Sequence, residues 1–145
     1  MTIQTEATRA TGTDTSGFRL LHVMIRVKDQ DRSIDFYTRH LGMKMIRQRE
    51  FEGGRFTNTF IGYGDEDSDT VLELTYNWDQ AEPSSHGSGF GHLAVAVPDI
   101  YATCDALAKE GVTISRPPGP MKHGTTVIAF IEDPDGYKIE LIERS

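Results

Sequence analysis

An internal repeat constrains this chain more than any other feature. The segment LLHVMIRVKD (20–29) aligns with GHLAVAVPD (91–99). His22 falls on His92, Val23 on Leu93, Ile25 on Val95, Val27 on Val97 and Asp29 on Asp99, always 70 positions on. A helical pattern closed by glycine follows each copy: 31–41 before Gly42, and 100–110 before Gly111. Asp29 and Asp99 stand where an N-terminal cap belongs, and the glycines where a C-terminal cap belongs. Three strand-like runs come next in each half. They are MKMIRQREF, RFTNTFIGYG and DTVLELTYN in the first, and VTISR, TTVIAFIED and GYKIELIER in the second. Glu73 in VLELT falls on Glu140 in KIELI, 67 positions on. The pattern predicts an α+β fold of two βαβββ repeats, 18–77 and 91–145, joined by a connector over 78–90. One such unit buries little core by itself, so two curved mixed sheets must pair, within one chain or between two.

Residues 1–17, MTIQTEATRATGTDTSG, carry no apolar period and are expected to form a disordered tail. No apolar run approaches the roughly 18 residues of a spanning helix, and no secretory signal is visible. The one cysteine, Cys104, excludes an intrachain disulfide framework and a thiolate metal cluster. These features predict a soluble, cytoplasmic chain. Its net charge of −7 argues against nucleic-acid binding, which needs a clustered basic face.

Four residues carry the candidate chemistry. His22, Glu73, His92 and Glu140 each lie in a strand-like run, at matching places in the two halves. In the first strand Leu21, Val23, Ile25 and Val27 alternate with His22, Met24 and Arg26, which predicts a core face and a cavity face. Two imidazoles and two carboxylates make an all-N/O set for Ni, Co, Zn, Mn or Fe. A carboxylate on a buried wall is costly unless it is paired or coordinated. Arg26 and Asn77 lie four residues beyond His22 and Glu73 and point into the same cup; their repeat positions hold Ala96 and Arg144. Symmetric positions therefore suit a metal, and asymmetric ones a substrate. The stretch SRPPGPMKHGTT (115–126), with Arg116 and Lys122, reads as an irregular loop able to bring cations to an anionic ligand. His40, His86 and His123 lack repeat partners and read as surface residues.

These blocks resemble glyoxalase I of the vicinal oxygen chelate superfamily, from about Leu20 to the C-terminus. ELTYNW and EDPDGYKIELIE are the most specific of them. The resemblance implies a homodimer with sites at the subunit interface, where His22 and Glu73 of one chain join His92 and Glu140 of the other. It implies isomerisation of the methylglyoxal–glutathione hemithioacetal to S-D-lactoylglutathione, by proton transfer through an enediolate. Glu140 is the implied base, and Glu73 serves the opposite face. Arg26 and Asn77 match residues that hold the γ-glutamyl group, and Arg116 matches a basic position that binds the glycyl carboxylate. Phe60 and Phe130 are candidates for the apolar wall around the methyl group. Ser88 stands where the human-type enzyme has an arginine for glutathione, a loss for which Lys122 or Arg116 would compensate. The short connection before VLELT, with His as first ligand, resembles the bacterial class activated by Ni2+, with Co2+ also active and Zn2+ less so. Two other readings fit the same residues: a metal-dependent epimerase of the superfamily, and a metal-free small-molecule-binding protein.

Overall fold

The computed structural model describes residues 12–145. The predicted disordered tail falls largely on residues 1–11, which lie outside the described residues. The first half runs β1 (His22–Arg26), α1 (Gln30–Asp35), β2 (Lys44–Phe51), β3 (Phe56–Gly62) and β4 (Val71–Asn77). The second runs β5 (Leu93–Val97), α2 (Ile100–Lys109), β6 (Thr113–Pro120), β7 (Val127–Glu132) and β8 (Lys138–Glu143). The sheets have orders β1-β4-β3-β2 and β5-β8-β7-β6. In each, the first strand is an edge strand parallel to the last, and the other pairings are antiparallel. Among the described residues no helix is long and apolar enough to cross a membrane.

The predicted caps form. Asp29 accepts from the Arg32 amide, and Asp99 from the Ala102 amide, both at 3.1 Å. Gly42 and Gly111 take the left-handed conformation, φ 71° and 85°, which a side chain would resist. The first helix differs from its predicted single span. It is α-helical only to Asp35 and continues as a π-helical turn, Phe36–His40. The Thr38 hydroxyl donates back to the Ile34 carbonyl at 2.7 Å, a bond of the kind that bends helices.

One apolar core joins both halves. Ile25, Val27, Tyr37, Ile61 and Leu74 meet Ile100, Ile131, Ile139 and Leu141 in it. The predicted core face of β1 is only half realised: Ile25 and Val27 are buried, whereas Leu21 and Val23 are exposed. They lie at the start of the edge strand, where this chain supplies no cover.

The EDPDGY turn between β7 and β8 seats on the β1–α1 junction. The Asp133 carboxylate accepts from the buried Tyr37 hydroxyl at 2.7 Å and from the Asp135 and Tyr137 amides at 2.8 and 2.9 Å. Tyr137 donates its hydroxyl to the Arg26 carbonyl at 2.8 Å. Asp135 accepts from the Lys28 amide and the Ser33 hydroxyl. Burial pushes the Asp133 carboxyl up despite its three donors, and it pushes the Tyr37 phenol well above its ordinary range. This seat fixes the end of β1 that carries Arg26.

Candidate metal and substrate site

The strand registers arrange the chemistry in rows. Residues paired across neighbouring strands share a face. In the first half one row reads Met24, Glu73, Phe60 and Arg47 across β1, β4, β3 and β2. In the second the matching row reads Ala94, Glu140, Phe130 and Arg116 across β5, β8, β7 and β6. The histidine stands two residues before the first member of each row. His22 Nε2 lies 3.6 Å from Glu73 Oε2, and His92 Nε2 lies 3.2 Å from Glu140 Oε1. Each imidazole meets the aromatic ring of its own row edge-on, with centroids 5.4 Å apart for His22–Phe60 and 5.2 Å for His92–Phe130. Both carboxylates are mostly covered, with side chains 13% and 18% exposed, so both need a cation or donors.

His92 itself falls one residue outside β5, contrary to the sequence expectation. Gly89 and Gly91 precede it, and the ladder to β8 begins only at Leu93. Its side chain still reaches Glu140.

Each pair offers one imidazole nitrogen and one carboxylate, a donor set that fits a divalent ion. Among the described residues no three His, Cys, Asp or Glu side chains come together in one chain. One chain thus presents two separate half-sets, and four ligands do not converge within it.

The other predicted residues fall as follows. Arg26 is exposed and lies one row beyond Glu73, beside Thr75; Asn77 closes β4 on the same face. Phe60 is buried and Phe130 partly buried. The expected loop over 115–126 is shorter than predicted, because 115–120 belong to β6, with two register shifts near Arg116. Arg116 donates to the Pro117, Gly119 and Ile128 carbonyls from Nη1, and to the Pro120 carbonyl from Nη2. Four carbonyls hold that guanidinium at the base of the turn presenting Lys122, which is exposed. Ser88 is exposed in the connector. His123 is a surface residue as predicted, but His40 and His86 are partly buried. The His86 ring stacks on Tyr137, centroids 4.0 Å apart, and His40 meets the edge of Phe36.

Arg47 belongs to the site and escaped the sequence reading. Its guanidinium lies 3.8 Å over the Phe60 ring and pairs with both oxygens of Glu66, at 2.7 and 3.1 Å. That pairing lowers the Glu66 carboxyl and raises the Arg47 guanidinium. Arg19 donates to the Glu66 and Asp69 carbonyls and so braces the same loop. The signal was the likeness of MIR (45–47) to ISR (114–116), 69 positions on, the offset that also relates Gly42 to Gly111, because the first half has one more residue between its capping aspartate and its capping glycine.

Residues 19–141 match the model of the Glyoxalase/Bleomycin resistance protein/Dioxygenase superfamily. The chain belongs to this superfamily. It is 56% identical over 126 residues to a probable lactoylglutathione lyase of Synechocystis sp., covering 87% of this chain and 95% of the relative. Glyoxalase I from Zea mays superposes with a TM-score of 0.83 at 46% identity, over 88% of this chain. This chain spans just under half of the maize chain, 45%. The trypanothione-dependent glyoxalase I of Leishmania major gives a TM-score of 0.78 at 43% identity, covering 88% of this chain and 87% of that one. The two-sheet α+β architecture is thus that of glyoxalase I structures.

Proposed function

We propose that this chain is a cytoplasmic lactoylglutathione lyase. It isomerises the hemithioacetal of methylglyoxal and glutathione to S-D-lactoylglutathione. The observation that carries the reading is the pair of half-sets, His22–Glu73 and His92–Glu140, each backed by a phenylalanine and an arginine in the same register. A relative 56% identical along nearly its whole length, named a probable lactoylglutathione lyase, supports the same assignment.

The complete site joins His22 and Glu73 of one chain to His92 and Glu140 of a second copy. The separation of the half-sets within one chain supports this, as do the exposed apolar side chains beside edge strand β1. Those four residues would hold one divalent ion, Ni2+ or Co2+ in preference to Zn2+. The ion supplies Lewis-acid stabilisation of the negative charge that builds on the two vicinal oxygens.

The chain's own groups do the rest. Glu140 takes the proton from C1 and returns it to C2, while Glu73 faces the opposite side of the substrate. A positioned acid–base group contributes about 10²–10⁴-fold. Arg26 and Asn77 hold the γ-glutamyl group, with the guanidinium suited to a two-point grip on its carboxylate. Lys122 meets the glycyl carboxylate, and Arg116 sets the turn that presents it. Phe60 and Phe130 wall the methyl group and exclude water.

The test uses chelator-stripped protein reloaded separately with Ni2+, Co2+, Zn2+ and Mg2+. Thioester formation is followed by ultraviolet absorbance with methylglyoxal and glutathione. Turnover with Ni2+ or Co2+ and little with Zn2+ is expected. Turnover with none of the ions overturns the assignment, and strong turnover with Zn2+ overturns the metal preference.

A further inference from the structure

One row beyond the His–Glu–Phe–Arg row, the halves part. In the second half the row is Ala96, Ile142, Ile128 and Gly119, which offers no polar side chain. In the first it is Arg26, Thr75, Asn58 and Arg49, polar throughout. Arg26 has a role under the proposed function; Asn58 and Arg49 have none.

Their hydrogen bonding is one-sided. Asn58 accepts from the Thr75 hydroxyl at 3.0 Å, which turns its amide NH2 away from Thr75. Among the described residues no acceptor meets that NH2. Arg49 is exposed, and its guanidinium lies 4.8 Å over the Phe51 ring. Arg39, Arg47 and Arg55 each pair with a carboxylate, whereas among the described residues Arg49 pairs with none. Two donor-only groups therefore stand side by side on facing residues of β2 and β3.

Position decides what they would meet. Asn77 lies on β4, the strand of Glu73 itself, and Arg26 on β1 to one side of it; Asn58 and Arg49, on β3 and β2, lie to the other. Asn58 is one strand and one two-residue step from Glu73. That is roughly 5 Å by 7 Å, within reach of a short chain on the aldehyde carbon skeleton. A donor-only wall is completed by an acceptor-rich group, and a guanidinium fork fits a carboxylate best.

The geometry points to Asn58 and Arg49 as a specificity wall that favours 2-oxoaldehydes bearing an anionic substituent over neutral ones. This inference rests on the lyase reading above. The row from the second half leaves the opposite wall apolar.

The test compares the hemithioacetals of 4,5-dioxopentanoate and of its methyl ester, in which one added methyl removes the charge. A charge-assisted bond of this kind corresponds to about a tenfold preference. The wild-type kcat/KM ratio of acid to ester is expected near ten, close to one in Arg49→Gln, and between these in Arg49→Lys and Asn58→Leu. A wild-type ratio of one or less, or a ratio that Arg49→Gln leaves unchanged, overturns the inference. Methylglyoxal turnover on the same preparations keeps the two readings apart, because its absence with every ion sinks the lyase reading alone. Calorimetry with S-(4-carboxybutyl)glutathione and S-pentylglutathione then decides without turnover. Tighter binding of the carboxylate, lost in Arg49→Gln, supports the wall, and equal affinities overturn it.

Discussion

In the first half Glu73 is flanked across its sheet by Met24, Phe60 and Arg47; in the second Glu140 is flanked by Ala94, Phe130 and Arg116. The type of residue is kept at three of the four places. One row further on, polar side chains face alanine, isoleucine and glycine. Duplication explains the first likeness, and what each half must touch explains the second difference. A metal approached by two similar half-sets needs the same donors from both. A substrate with unlike ends needs unlike walls.

The arginines show the same divergence within the kept row. Arg47 lies on Phe60 and pairs with Glu66, whereas Arg116 turns away to collect four carbonyls. A guanidinium has five donors, enough to serve either a carboxylate in a neighbouring loop or the carbonyls of its own turn. The prolines at 117, 118 and 120 bring no N–H to this stretch of β6, and Arg116 supplies donors there instead, to three carbonyls of its own turn and to that of Ile128 on β7.

The largest expected effect concerns the two carboxylates. Glu140→Gln should lower kcat by about 10²–10⁴-fold, and Glu73→Gln by clearly less, in the thioester assay on metal-loaded protein. Equal losses would break the proposed division of labour between the halves. Next comes the asymmetric row. Arg26→Ala should raise KM for the hemithioacetal by roughly tenfold or more while kcat moves little, as expected when one charge-assisted contact is lost.

The seat between the halves gives a pH test. Burial raises the folded-state pKa of Asp133. A group of this kind favours the native state below its unfolded pKa, about 4, and loses that contribution as pH rises through its folded value. The Tm of wild type relative to Asp133→Asn should therefore fall as pH rises upward from about 4. A difference that stays flat with pH would contradict the burial argument. The smallest effect separates the two phenylalanines. Phe60→Leu should cost about 1–2 kcal/mol in denaturant unfolding, and Phe130→Leu less, because Phe60 is buried and Phe130 only partly so.

Much of this was legible in the sequence, and the reason is repetition. Offsets of 67 to 70 place the caps, the strands and the His–Glu pairs at once, because both copies satisfy the same local rules. What repetition does not encode stayed hidden. The π-helical turn holds Thr38, bonded back to Ile34, and Tyr37, anchored to Asp133 96 residues away, a contact that local periodicity does not show. Between Gly42 and Arg47 the offset is 69 and not 70, so Arg47 falls on Arg116 only when that one-residue change is followed, and the strand registers then put each in the row of its glutamate. The row of Asn58 and Arg49 draws on four strands, and one-strand alternation cannot assemble it. Leu21 and Val23 are exposed because nothing in the chain packs over the start of this edge strand, which alternation along one strand does not reveal.

The central claim is that a working site takes one half-set from each of two copies. Two inactive variants, His22→Ala and His92→Ala, should be unfolded together and refolded as a mixture. In a mixed dimer the intact His22 and the intact His92 then meet in one of its two sites, while the other lacks both. The account predicts that the mixture regains about a quarter of wild-type turnover, from random pairing and one good site per mixed dimer. If the mixture stays as inactive as either variant alone, although mixed dimers form, the sites are not shared between copies and the account is wrong.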